Sequence, residues 1–245
     1  MLYGLHAVRE ALRAGGRPLQ RLLVQRTDRQ FADLVQQAKA QQIPVHIEPP
    51  RAFDRLVPGG NHQGVIAFVS AKAYSTTQDI LDLARQRGEP PFLVILDGVE
   101  DPHNLGAIIR TAEAAGVHGV FVPERRAAGL TSVVAKTSAG ALEHILVARV
   151  VNLSRLIEEL KEAGLWIYGV EPSAAQEVSA IEMTGPIAFV FGGEGGGIRR
   201  GVAQECDNLI RIPMKGKVES LNVSAAVAVT LFEGLRQRGQ HKRAP

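Results

Sequence analysis

The 245 residues are 45% hydrophobic with a mean hydropathy near zero, and no apolar run approaches the length of a bilayer span, so the chain fits a globular protein of one or two domains. Its single cysteine, Cys206, excludes an internal disulfide framework and a multi-cysteine zinc site. The net charge of +3 is uneven: residues 1–72 hold ten Lys or Arg against five acids, leaving 18 against 20 in the remainder.

The opening, MLYGLHAVREALRAGG, reads as an amphipathic helix and lacks the uncharged core of a signal peptide. With the lone cysteine, this sets the expectation of a reducing, cytoplasmic location. Residues 19–25 read as a strand, 31–42 as a helix, 45–49 as a strand, 51–57 as a short helix and 63–70 as a strand. This is a small α/β unit of its own. Its basic balance points to a polyanion-binding module, with a solvated basic surface as the plainer reading. Residues 71–91 read as a connector. Ser75 with Gln78 and Thr76 with Asp79 suit a capping box, and Gly88 then Pro90 and Pro91 stop the helix.

Alternation restarts at Phe92. Apolar runs at 92–98, 118–123, 144–150, 165–172, 187–193 and 208–213 read as strands, with helical segments between most of them. Continuous Val/Ile/Leu strands separated by helices predict an α/β fold with a parallel sheet covered on both faces. The expected organisation is therefore a small α/β domain over 1–72, a linker over 73–91 and a larger α/β domain over 92–245. The tail from residue 237 reads as frayed.

Three clusters in the second half carry chemistry. DGVEDPHNLGAIIRTAEAAG, residues 97–116, joins the carboxyl end of the first parallel strand to a helix, where open α/β sheets bind ligands. Asn104 is placed to cap that helix and Gly116 to stop it. Arg110 sits in AIIRTA, among residues that a helix would bury. A charge there needs a partner, either a structural carboxylate or a ligand phosphate.

FGGEGGGIRRG, residues 191–201, follows a buried strand. Its glycines fit neither the G-x-G-x-x-G spacing of a dinucleotide site nor a P-loop. That weakens a nicotinamide dehydrogenase reading. A plain glycine turn leaves Glu194 unexplained, and a carboxylate among bare backbone amides suits a cationic or hydroxylated ligand. In IPMKGKVESLNVSAAVAV, residues 212–229, Ser220, Asn222 and Ser224 crowd a helix start that needs one cap. The small-residue helix that follows fits close packing against the sheet or another chain. The seven histidines show no metal-ligand spacing, so no metal is expected. No G-x-S-x-G elbow of a serine hydrolase is present.

These three clusters, in this order after successive strands, resemble the three motifs of the SpoU (TrmH-like) branch of the SPOUT RNA 2'-O-ribose methyltransferases, over about residues 91–238. The front section resembles that family's substrate-binding domain, with a fold like the L30e/L7Ae ribosomal proteins. MLYGLHAVREAL and GNHQGVIA (60–67) are similar to the bacterial 23S rRNA guanosine 2'-O-methyltransferase subgroup. The resemblance implies S-adenosylmethionine as methyl donor, a homodimer formed by the catalytic domain, and a deep trefoil knot that chain-topology rules would not have proposed. It implies Asn104, Arg110, Glu194, Ser220 and Asn222 on the catalytic side, and a donor pocket around Gly192, Ile212, Met214 and Leu221. The implied substrate is a guanosine ribose of 23S rRNA, in the peptidyl-transferase P loop. A tRNA guanosine methyltransferase and a non-catalytic RNA-binding protein are the alternatives. Arg110 is expected to clamp a substrate phosphate, because a guanidinium stays protonated and makes a poor base.

Overall fold

In the computed structural model, which describes residues 1–241, backbone contacts divide the chain into two compact units. One holds residues 1–73 together with 130–144. The other holds 74–129 and the residues from 145 onward.

The first unit opens with β1 (Leu2–Tyr3) and α1 (Leu5–Ala14). Ala7, Val8, Ala11 and Leu12 recur at helical spacing and are the residues α1 buries; Gly15 ends it in a left-handed turn. Then come β2 (Leu19–Val24), α2 (Ala32–Ala40), β3 (Val45–Ile47), α3 (Pro50–Leu56) and β4 (Val65–Val69), close to the bounds the sequence predicts. The strands form one sheet in the order β1-β4-β2-β3, with only β2 and β3 parallel. The two-residue β1 carries no local pattern of its own; it exists because Leu2 and Tyr3 pair with Ala67 and Ile66.

The second unit begins with α4 (Thr77–Arg87), capped by a reciprocal Thr76–Asp79 box. Hydrogen bonds from Thr76 hold the Asp79 carboxyl below its ordinary pKa. Gly88 ends the helix in the left-handed region, as its place before two prolines predicts. β5 (Phe92–Asp97), α5 (Pro102–Ala114) and β6 (Gly119–Pro123) follow.

The chain then contributes α6 (Ser132–Thr137) and a 3-10 turn, Ala141–Glu143, to the first unit. That segment is fastened there by a buried ion pair. The Arg17 guanidinium donates to both carboxylate oxygens of Glu143, from Nε at 3.0 Å, and Lys72 Nζ donates to the Glu143 carbonyl. Burial lowers the Lys72 pKa against the opposing pull of Glu143.

Back in the second unit are β7 (Leu146–Val150), α7 (Leu153–Glu162), β8 (Trp166–Val170), β9 (Gln176–Glu177), β10 (Ile187–Gly192), α8 (Arg200–Glu205), β11 (Asn208–Arg211) and α9 (Val223–His241). Seven strands make one sheet in the order β7-β6-β5-β10-β8-β11-β9, with every neighbouring pair parallel. Leu93, Ile95, Ala188 and Val190 face a layer of Ile80, Leu156, Ile157 and Val202 from α4, α7 and α8. On the other face Phe92 meets Phe189 edge-on at 6.1 Å, and Gly234 of α9 lies against Phe92 where a Cβ would stand 2.9 Å from the ring. α5 packs on α9. The predicted α/β fold, with helices on both faces of a parallel sheet, is the one observed.

One detail differs from expectation. Residues 237–241 are helical rather than frayed, because Gln237 and Arg238 reach back to the segment 181–185. Arg238 donates from Nε to the Met183 carbonyl at 2.8 Å and from one terminal nitrogen to that of Pro90 at 2.9 Å, with its guanidinium 4.5 Å over the Phe92 ring. Burial lowers its pKa to about 10, which leaves it cationic at neutral pH. The rest of the tail, 242–245, lies outside the described residues. Among the described residues no helix is long and apolar enough to cross a membrane.

Candidate active site

An all-parallel sheet brings the carboxyl ends of its strands to one edge, and the strand-to-helix loops collect there. A cavity of about 600 Å³ opens at the ends of β8, β10 and β11. One wall is the glycine loop 192–197 after β10. The facing wall comes from 212–223, with Glu171 and Pro172 closing the end. A smaller cavity, about 320 Å³, lies at the end of β5 between residues 98–101, Asn104 and Glu194. Glu194 borders both.

The glycine loop is shaped by close backbone approach. A Cβ on Gly192 would fall 1.9 Å from the Gly197 carbonyl carbon, and one on Gly193 would fall 1.9 Å from the Gly98 oxygen. Gly195 and Gly197 adopt φ of +78° and +61°, which favour glycine. Two carboxylates pin the far end of this loop. Asp97, buried at the end of β5, accepts from the Arg199 backbone N–H at 2.8 Å and from Arg199 Nε at 2.7 Å. Glu171 Oε1 accepts from the Ile198 backbone N–H.

Three predicted site residues meet here. Glu194 Oε1 accepts from Asn104 Nδ2 and, at 3.0 Å, from Asn222 Nδ2; Asn222 Nδ2 also lies 3.1 Å from Asn104 Oδ1. Asn222 in turn caps α9, its Oδ1 accepting from the Ser224 N–H at 2.9 Å and hydroxyl at 2.6 Å. One asparagine thus ends the loop after β11 and touches the carboxylate from the loop after β10. Ser220 joins Glu194 and Asn222 in lining the larger cavity, as do Gly192, Ile212, Met214 and Leu221.

The cap reading of Asn104 is corrected. Asp101 caps α5, accepting from the His103 N–H at 2.9 Å, with Pro102 at the first helical position. Asn104 lies inside the helix, buried, which frees its amide for Glu194. The burial reading of Arg110 is corrected as well. α5 buries Leu105, Ile108, Ile109 and Ala112, while Arg110 falls on the exposed face, lines neither cavity and has no hydrogen-bond or ion-pair partner among the described residues. Sequence reasoning missed Asp97 and Glu171. The available signal was a carboxylate following an unbroken apolar strand, in FLVILD and in LWIYGVE. Burial pushes the Cys206 thiol up to about 12, away from the thiolate form.

Comparison with known proteins agrees with this architecture. Residues 91–232 match the SpoU rRNA Methylase family, and residues 1–75 match the RNA 2'-O ribose methyltransferase substrate binding family. The chain is 44% identical to a putative TrmH family tRNA/rRNA methyltransferase, YacO, of Bacillus subtilis (strain 168), over 96% of this chain and 94% of that protein. It is 45% identical to an uncharacterized tRNA/rRNA methyltransferase of Synechocystis sp. over 98% of its length, spanning 63% of that longer relative. The SpoU methyltransferase AviRb from Streptomyces viridochromogenes, solved in complex with AdoMet, aligns at a TM-score of 0.81 and 25% identity, covering 98% of this chain and 90% of that one. With one family model matching over half its length and a relative this similar from end to end, the chain belongs to the SpoU rRNA methylase family.

Proposed function

We propose that the protein transfers a methyl group from S-adenosylmethionine to a ribose 2'-oxygen of RNA, with a guanosine of 23S rRNA as the target. The observation that carries this reading is the cavity bounded by the glycine loop and residues 212–223. Its volume lies in the range of small-molecule sites, and its glycine wall exposes backbone rather than side chains. The charged side chains on its lining, Glu171, Glu194 and Glu219, are all carboxylates, which suits a cationic ligand. Gly192, Ile212, Met214 and Leu221 would hold the donor. When bound, it supplies an electrophilic methyl on a sulfonium centre.

The chain's own residues do the rest. Glu194, Asn104 and Asn222 fix one another and tie the loops after β5, β10 and β11 into one frame. Ser220 and Asn222 place polar groups on the wall of the larger cavity, beside Glu194, for the ribose hydroxyl. Arg110, exposed and without a hydrogen-bond or ion-pair partner among the described residues, clamps a substrate phosphate. A DNA strand lacks the nucleophile, so RNA is required. The first unit, with exposed Arg21, Arg26, Arg29, Arg51 and Arg55, supplies affinity for the RNA backbone.

The working unit in this reading is a homodimer in the cytoplasm. α9 exposes Val229, Phe232 and Leu235 at three-residue spacing, an apolar row that suits a second copy. The knotted threading of the second unit belongs to the same reading. It is supported by the return of residues 212–222 from β11 to the glycine loop.

The test is transfer from isotopically labelled S-adenosylmethionine to 23S rRNA and tRNA transcripts, with methylated riboses mapped. The expected result is label on a single guanosine ribose of 23S rRNA. Label on tRNA alone favours the tRNA reading, and no transfer to ribosomal precursor or tRNA removes the proposal.

A further inference from the structure

Resting on that reading, we infer that Glu171 is the positioning residue that holds the donor cavity open, acting through the backbone of the glycine loop. Glu171 directly follows β8, and its own N–H is fixed by the Ile210 carbonyl of β11 at 2.8 Å. Its side chain lines the cavity and accepts from the Ile198 N–H. The carboxylate fills the space beside Gly197, where a Cβ would sit 2.9 Å from one oxygen and 3.1 Å from the other. Gly197 is held at a φ of +61° and bridges to Gly193 across the loop. The five glycines at 192–193 and 195–197 have no side chains to set their path, and the one side chain among them, Glu194, ties only the near end of the loop to Asn104 and Asn222. Each glycine keeps more backbone freedom than any other residue, so the open form of the wall needs outside contacts.

Asp97 supplies one such contact beyond the loop, at Arg199. At the start of the loop the Gly193 N–H donates to the Asp97 carbonyl at 2.8 Å and Glu194 is held by Asn104 and Asn222; Glu171 braces the opposite end, beside Gly197. Its acceptor oxygen is what matters for this role, rather than its charge.

Two variants separate these. Glu171→Ala removes the acceptor; Glu171→Gln keeps an oxygen for the Ile198 N–H and removes the charge. Hydrogen exchange across residues 193–198 in the ligand-free protein, with a melting curve for each variant, reads the brace directly. S-adenosylmethionine affinity by calorimetry reads its consequence. In Glu171→Ala exchange at this loop accelerates while the rest of the sheet keeps its protection, and donor Kd rises about tenfold, the worth of one ordinary hydrogen bond. In Glu171→Gln both return to within about threefold of the parent.

Unchanged loop exchange in Glu171→Ala overturns the inference. So does a Gln variant as impaired as the Ala variant, which would assign the effect to charge. Accelerated loop exchange in Glu171→Ala, with a parent protein that does not bind S-adenosylmethionine, would leave the brace standing and overturn the proposed donor.

Discussion

Arg110, the proposed phosphate clamp, owes its accessibility to helical phase. Its neighbours Ile108 and Ile109 are fully buried, yet a rotation of about 100° per residue turns its own side chain to solvent. An exposed guanidinium without a partner has given up no hydration and holds its planar fork free for a phosphate. Replacing Arg110 with Lys keeps the charge and loses the fork. The expected result is a kcat lowered by one to two orders of magnitude with S-adenosylmethionine affinity unchanged, read by single-turnover methyl transfer beside calorimetry. Turnover near the parent rate would show that a point charge suffices. The sequence named Arg110 through its motif and gave the wrong reason, because AIIRTA looks uniformly buried when helical phase is ignored. Asn104 was misread in the same way: an asparagine near a helix start is normally a cap, and only Asp101 and Pro102 just before it show the cap to be taken.

Long strands and their helices were legible because each carries its own period or apolar run. Elements defined by a distant partner were not. β1 and β9 are two residues each and follow from pairing with β4 and β11. The segment 130–144 follows β6 in the chain, but its contacts place it with residues 1–73. Arg17 and Glu143 explain why. Their side chains are 7% and 2% exposed and lie 126 residues apart, a separation no local pattern reports. A buried pair is a poor source of net stability, but each half is costly alone. Glu143→Ala, which strands the guanidinium, is expected to destabilise by about 3–5 kcal/mol in urea denaturation. Arg17→Met with Glu143→Leu should cost less than that single change. A double variant weaker by the sum of both would mean the two side chains act independently.

This shared unit also decides how the division of labour is to be tested. Deleting residues 1–72 would strip the cover from Val134, Ala135 and Leu142 and leave Glu143 unpaired, so a truncated chain that failed to bind RNA would report damage as readily as function. Surface charge reversal leaves the core alone. Arg51 and Arg55 stand four apart on α3, both exposed and without ion-pair partners among the described residues, while Phe53 between them is fully buried and anchors the helix. Neutralising phosphates releases counterions, so each lost contact lowers both the affinity and its dependence on salt. Arg51→Glu with Arg55→Glu is expected to weaken rRNA binding at least tenfold and to flatten the slope of log affinity against log salt by roughly 1.5 to 2. Donor affinity, set at the carboxyl ends of β8, β10 and β11, should not move. Filter binding across a salt series, with calorimetry for S-adenosylmethionine, measures both. An unchanged slope would remove α3 from the RNA surface, and a loss of donor affinity would show that the two functions are not carried by separate units of the chain.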